Sequence, residues 1–348
     1  MFQKRHQLLH TLLEITLRCN MNCIHCGSSA GTKRNQELSA SQWMSVCDQL
    51  AELSCRQVTL MGGEPLVRDD WYDIAQHVKH RGMKLTIMSN GFLITKTIIN
   101  QLLSLEPYVV AISLDGATAQ THDSIRGISG SFERCLETLR LLRDAGLPTT
   151  VVTTVHKRNV QDLRQMRQHL LNKGIAWQIQ MGNPFGRFPK ELSLSLEEFY
   201  AVAMFIASTK RNYSLKELPV TGAHCMGYHS SVLPNLMVGS WKGCYAGMNV
   251  LGIQSDGGIK GCLSLPDAFI EGNVLSNRIS EIWEEPHAFS YTRDFQHTAL
   301  VHYCKECRHG DTCKGGCLSG SISFTGLMHG NPYCLHRIEQ EHLAVQQK

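Results

Sequence analysis

Short apolar runs alternate along the chain with longer amphipathic stretches. The runs Leu12–Leu17, Val58–Met61, Lys84–Met88, Val109–Leu114, Thr149–Val155 and Ala176–Gln180 have the length and composition of strands. Between and after them, Ser41–Leu53, Asp70–His80, Lys96–Leu105, Phe132–Ala145, Val160–Asn172 and Leu196–Lys210 repeat their apolar residues at helical spacing. The first of these has Ser39 and Gln42 in capping-box spacing, then Trp43, Val46, Leu50 and Leu53 on one stripe. The fourth starts after Ser131 and stops at Gly146, with Pro148 soon after.

Strands alternating with amphipathic helices imply an α/β fold, a parallel sheet with right-handed crossovers. Six units are too few for a closed eight-stranded barrel and predict a partial (β/α)6 barrel, with chemistry at the C-terminal ends of the strands. Polar motifs fall at those ends. Cys19, Cys23 and Cys26 follow the first strand, Gly62-Gly63-Glu64-Pro65 the second, Ser89-Asn90-Gly91 the third and Asp115-Gly116 the fourth.

The 348-residue chain is long enough for more than one domain, and its net charge of +4 is spread out. No Lys/Arg run points to nucleic acid; the basic residues of Arg134–Arg143 and Arg158–Arg167 read as solvated helix faces. No apolar run reaches the ~18 residues of a membrane span, and the start MFQKRHQLLH lacks a signal peptide's apolar stretch. A cytoplasmic location is expected.

The fourteen cysteines change this picture most. In a reducing compartment such a load reads as metal ligands or catalytic thiols. Three stand at 19–26 as C-x3-C-x2-C and seven at 244–334, with Cys47, Cys55, Cys135 and Cys225 scattered between. Iron–sulfur clusters are normally held by four thiolates, so three leave one iron open to an outside ligand. Zinc prefers four closed ligands, commonly in paired C-x2-C units.

With the Gly-Gly-Glu-Pro loop and the later Ser113-x-Asp115 segment, the first array resembles the radical S-adenosylmethionine (SAM) superfamily. The resemblance implies a [4Fe–4S] cluster on Cys19, Cys23 and Cys26 whose open iron binds SAM. Reductive cleavage of SAM then yields methionine and a 5'-deoxyadenosyl radical, which takes a hydrogen from the substrate. By family role, Glu64 with the backbone of Gly62 and Gly63 holds the methionine amino group, and Ser113 and Asp115 lie where ribose and nearby groups bind. Arg126 pairs with the SAM carboxylate, unless it is a solvated loop residue. Ser89 and Asn90 face the mouth or simply form a turn. His25 packs near the adenine rather than acting as a base.

The later cysteines give C-x12-G-x4-C at Cys244, Gly257 and Cys262, then C-x2-C-x5-C-x3-C at Cys304, Cys307, Cys313 and Cys317, and finally Cys334. This resembles the seven-cysteine SPASM signature, whose bearers usually carry two auxiliary [4Fe–4S] clusters, making three in all. Carried over by position, Cys244, Cys262 and Cys317 hold auxiliary cluster I, and Cys304, Cys307, Cys313 and Cys334 hold cluster II. Cys225 is the nearby candidate for an eighth ligand; otherwise cluster I keeps an open iron. Cys47 and Cys135 read as core packing and Cys55 as either packing or function, while a hydrogen-atom donor, if the reaction needs one, would come from among these four scattered thiols. Leu263 stands where sulfatase-oxidising relatives carry an acidic residue, which counts against that subtype. Asp256 and Asp267 are near in sequence, with a turn role for Asp256.

The expected organisation is a radical SAM barrel over residues 1–215, a bridge over 216–243, and a SPASM domain over 244–348 with a short β-hairpin, helices and a C-terminal helix. The segments CNMNCIHCGSSAG, SLDGATAQTHDSIRG and GCYAGMNVLGIQSDGGIKGCLSLPDAFIEGN resemble maturases of nitrogen-fixation-like leader peptides, including splicing enzymes. The implied substrate is a ribosomally made precursor peptide, spliced, crosslinked or epimerised. With no room before Cys19 for a leader-gripping domain, a separate leader-binding protein or the barrel surface takes that role. A flavodoxin or ferredoxin is the implied electron donor. A small-molecule substrate and a non-catalytic iron–sulfur scaffold are the alternatives; the scaffold would have no use for Glu64, Ser113 and Asp115 at the strand ends.

Overall fold

The computed structural model describes residues 6–226 and 228–346, with side chains through residue 342. The first five residues of the N-terminal stretch considered for a signal peptide lie outside the described residues, as do the last two of the C-terminal segment.

The strands are β1 (His10–Thr16), β2 (Gln57–Gly62), β3 (Lys84–Ser89), β4 (Val109–Ser113), β5 (Thr149–Val155), β6 (Ala176–Met181), β7 (Val220–Gly222), β8 (Val250–Ile253), β9 (Gly258–Lys260) and β10 (Gly272–Asn273). They form one sheet in the order β10-β9-β8-β1-β2-β3-β4-β5-β6-β7. Every pairing from β8 to β7 is parallel, and only β8–β9 and β9–β10 are antiparallel. The six strands read from the sequence are all present. Two additions extend the sheet: β7 beyond β6, and on the other side β8, parallel to β1, with β9 and β10 antiparallel beyond it.

The barrel helices are α1 (Ala40–Glu52), α2 (Trp71–His80), α3 (Lys96–Leu105), α4 (Ala119–Arg126), α5 (Ser131–Asp144), α6 (Leu163–Leu170) and α7 (Leu196–Asn212). Ser39 and Gln42 close the capping box of α1, and the helix buries Trp43, Val46, Cys47 and Leu50 against the sheet. Full burial of each aliphatic side chain in such a stripe contributes about 1.5–3 kcal/mol. The Cys-rich part adds the short helices α8 (Ile279–Glu284), α9 (Ser290–Arg293), α10 (Gly310–Cys313) and α11 (Leu318–Thr325), then α12 (Leu335–Gln346).

Three local readings are corrected. Arg126 is not in a loop but ends α4, a helix capped by Thr118 and stopped by Gly127 at φ +73. Ser131 is the first residue of α5, and its hydroxyl donates to Asp123 at 2.8 Å instead of capping the helix. The two basic faces are only partly solvated. Arg140 and Arg143 pair with exposed Asp144 as expected. Arg134, however, donates to the carbonyls of Phe92 and Ile94, and Arg167 lies over the rings of Phe205 and Tyr213 at 5.3 and 5.2 Å. In both, the guanidinium finds its partner within the protein, on carbonyls for Arg134 and on ring faces for Arg167.

Candidate active site and cysteine groups

The segment after β1 carries the first three cysteines, and the loops after β2 and β3 and the end of α4 grip it. Its own ends are joined by hydrogen bonds from Cys19 N to Gly31 O and from Gly31 N to Leu17 O, both 3.0 Å. The loop after β2 lies directly on it. A Cβ at Gly62 would strike the Thr16 carbonyl and one at Gly63 the Arg18 carbonyl. Only glycines permit this approach, and it lets Gly63 N and Glu64 N donate to Thr16 O and Arg18 O at 2.9 Å. From the loop after β3, Asn90 Nδ2 donates to Asn20 Oδ1 at 2.8 Å. From the end of α4, the Ile125 carbonyl accepts from Ile24 N at 2.9 Å.

Glu64 is fully buried and is the hub of the next layer. It accepts from Ser89 Oγ at 2.9 Å, Asn90 N at 2.7 Å and Leu66 N at 3.2 Å. Burial pushes its carboxyl up to about 7 despite those hydrogen bonds. The structure therefore brings Gly62, Gly63, Glu64, Ser89 and Asn90 together, and the turn reading also holds, since Ser89 Oγ accepts from Gly91 N and Asn90 Oδ1 from Phe92 N, both at 3.0 Å.

Asp115 is likewise fully buried. One carboxylate oxygen accepts from Thr154 N at 2.7 Å; the other pairs with the Arg126 guanidinium and lies 3.3 Å from His25 Nε2. Burial opposes its charge, but Arg126, His25 and His122 together hold the carboxyl below its usual range. Arg126 also directs its NH1 donor at Cys23 Sγ, 3.7 Å away. Ser113, at the end of β4, is half-buried, and its carbonyl accepts from the Cys135 thiol at 3.5 Å. His25 meets His156 at a ring separation of 5.6 Å, and burial drops its imidazole to about 4.

All fourteen cysteines are free thiols. Among the described residues no three His, Cys, Asp or Glu side chains stand close enough to hold a single metal ion; the thiols form wider groups. The Cys19 thiol is pushed up to about 11, first by burial, with Glu64, Cys23 and Cys26 adding to it. Cys317 is raised by burial and then by Cys244, Cys262 and Cys225. Cys304 and Cys313 rise to about 12 through burial, with Cys334 and Cys307 acting on Cys304, and Cys334 and Cys304 acting on Cys313. The mutual influences thus sort the later thiols into one group of Cys225, Cys244, Cys262 and Cys317 and another of Cys304, Cys307, Cys313 and Cys334. Tyr228 sits between the groups, its hydroxyl accepting from Cys317 N at 2.6 Å. Cys225 accepts from Met181 N at 3.2 Å, at the end of β6. Cys47, Cys55 and Cys135 are buried in the core, with Cys55 also touching Thr11 Oγ1 at 3.4 Å. Asp267 is engaged by Lys260 and Gln254, and Asp256 accepts from Gly258 N within its turn.

The donor sets fit iron–sulfur clusters: deprotonated thiols are what burial and crowding here oppose, and bound iron supplies the missing positive charge. Among the described residues, buried Arg126 Nε and His25 Nδ1 have no hydrogen-bond partner, leaving a donor and a ring nitrogen for a bound polar group such as SAM. Three residues that the sequence did not single out also belong to this site. His122 Nδ1 meets Asp115 N at 3.1 Å, Asn159 donates to Asp115 O at 3.0 Å, and Arg187 reaches back from the loop after β6. The signal available for Arg187 was position alone, since it follows a strand end as the recognised motifs do.

A partial parallel barrel with an open-sided three-thiol array at its mouth, followed by two further thiol groups, defines an iron–sulfur enzyme of the radical type. Residues 13–170 match the radical SAM superfamily, and residues 244–308 match the SPASM iron–sulfur cluster-binding domain. The mycofactocin maturase MftC of Mycobacterium tuberculosis is 30% identical over 334 residues, which span 92% of this chain and 80% of that protein. The AdoMet-dependent heme synthase of Methanosarcina barkeri is 28% identical over 337 residues, 93% of this chain and 95% of the relative. In fold, Streptococcus suis SuiB bound to precursor peptide SuiA superposes with a TM-score of 0.74 at 16% identity, covering 94% of this chain and 76% of that one. The chain belongs to the radical SAM superfamily, in the branch that carries a SPASM domain.

Proposed function

We propose that this protein modifies a ribosomally made precursor peptide by radical SAM chemistry. The relation to a mycofactocin maturase, over four-fifths of that protein's length, carries the reading. The SuiB fold, which holds a precursor peptide in its own structure, agrees with it. Residues 1–215 then form the radical-generating part, 216–243 a bridge, and 244–348 the auxiliary part.

Cys19, Cys23 and Cys26 would hold a [4Fe–4S] cluster that, with SAM bound, would supply the radical chemistry for taking hydrogen from the substrate. Glu64 fixes the loops after β2 and β3 around that point, and Asp115 orients Arg126 beside Cys23. The buried barrel residues shield the radical from water. The two later thiol groups would hold auxiliary clusters, with Cys225 as the fourth ligand of the first. A separate leader-binding protein and a flavodoxin- or ferredoxin-type donor complete the system, and splicing is the favoured reaction over crosslinking or epimerisation.

The heme synthase relative, similar along almost its whole length, favours a second reading, a small-molecule substrate such as a tetrapyrrole. Anaerobic co-expression with a short precursor peptide encoded nearby, followed by peptide mass in ordinary and deuterated water, separates them. Loss of a residue-sized fragment is expected for splicing. Loss of two hydrogens would instead mean a crosslink, and one deuterium gained at otherwise constant mass an epimerisation. An unaltered peptide, with SAM cleavage intact and the leader-binding protein present, would favour the small molecule.

A further inference from the structure

The loop after β6, residues 182–189, crosses the mouth and lands on the first cysteine segment. Arg187 Nε donates to the Cys23 carbonyl at 3.1 Å and its NH1 to the Ala30 carbonyl at 2.6 Å. The Arg187 backbone N–H donates to the Cys26 carbonyl at 3.0 Å. One residue thus ties down two cysteine positions and the end of the loop they share. Gly186, at φ +59, makes the contact possible: a Cβ there would strike the carbonyls of Gly27 and Cys26. Behind it, Phe188 packs edge-on against His156 at 5.9 Å and fills the space a Cβ would take on Gly182. The strap is therefore anchored at both faces.

We propose that Arg187 is a positioning residue for the SAM-binding cluster, clamping the backbone of its ligand loop and setting its reduction potential. The inference rests on Cys19, Cys23 and Cys26 being the cluster ligands. A planar guanidinium is suited to bridging two carbonyls, which a single ammonium on a flexible stem is not. Its positive charge, held against the ligand loop, favours the extra negative charge that the cluster gains on reduction. Outer-layer partners of metal ligands typically hold about 10–100-fold in metal affinity.

The test uses the full chain with reconstituted clusters and dithionite as reductant. Electron paramagnetic resonance identifies the SAM-binding cluster as the signal that changes when SAM is added. In R187Q that cluster is expected to show a more negative midpoint potential and to lose iron to a chelator roughly tenfold faster. The auxiliary signals stay as in the wild type. R187K, keeping the charge without the fork, restores the potential but not the slow iron release. Wild-type potential and iron release in R187Q would overturn the proposal. If R187Q loses all three clusters through misfolding, R187K decides: wild-type iron release there overturns it. A wild-type protein with no SAM-responsive signal would instead sink the ligand assignment of Cys19, Cys23 and Cys26.

Discussion

Asp123 shows how one side chain sets the entry to the site. Its carboxylate accepts from Gly130 N at 2.7 Å, Ser131 Oγ at 2.8 Å and Phe132 N at 2.8 Å, capping α5 from the preceding helix. Because α4 ends in Arg126, the same contact fixes the helix that delivers Arg126 to Asp115 and Cys23. Burial works against the charge of Asp123, but the bonds from Ser131, Phe132 and Gly130 outweigh it and hold the carboxyl below its usual 3.8. A depressed folded value means stability that is complete above 3.8 and lost as pH falls through the folded value. Asp123→Ala should therefore cost about 1–2 kcal/mol at neutral pH, as the loss of a helix cap does. Thermal melting of both proteins across an acid pH series checks this. The gap between them should close only below that range, and a gap constant into strong acid would deny the carboxylate its capping role.

At the scale of elements, the barrel was legible because its strands are apolar runs and its helices keep an apolar stripe. The helix α4 was not, since the stretch Ala119–Arg126 is mostly polar and buries only His122, Ile125 and Arg126. The strand β7 has three residues and β8 four, too short for a periodic pattern to stand out. The cysteine spacing foreshadowed the grouping of the later thiols, because cluster chemistry asks for that residue type at each place. Arg187 was hidden for the opposite reason: its partners are backbone carbonyls 164 and 157 residues away, which leave no mark in the sequence. The glycines of the loop after β2 were legible as a motif, but the surface they approach was not. They touch the continuation of β1, so Gly63→Ala should force the loop off Arg18 and move Glu64 away from Asn90. SAM cleavage is expected to fall by at least about 100-fold, the order reached when a small misplacement disturbs a reacting geometry. Auxiliary cluster signals should persist. Near-wild-type 5'-deoxyadenosine formation by this variant would show that the close approach is dispensable.

Across the whole molecule, the Cys-rich part is built onto the barrel rather than tethered to it. The strand β8 extends the sheet beside β1, and Ser255 donates to Glu14 through both backbone and side chain at 3.2 and 3.1 Å. Cys244 and Cys262 flank the β8–β9 hairpin, while Cys225 follows β7 at the sheet's far end, yet both sets act on Cys317. The first auxiliary group therefore draws together the two ends of an open barrel, and Tyr228 joins it to the second group. None of the described helices is long and apolar enough to cross a membrane. On the proposed reading, radical generation belongs to the barrel alone, whereas completing the reaction on a substrate draws on the auxiliary groups. Cys307→Ala separates the two tasks. Three four-iron clusters give about 12 iron per chain, and removing a ligand of the second group should leave about 8. SAM cleavage should survive, because the Cys19–Cys26 segment and its clamps are untouched, while conversion of the substrate is lost. Iron analysis, 5'-deoxyadenosine yield and product mass on one preparation read all three quantities. Full product formation at the reduced iron content would place the whole reaction in the barrel and leave the second group without a part in turnover.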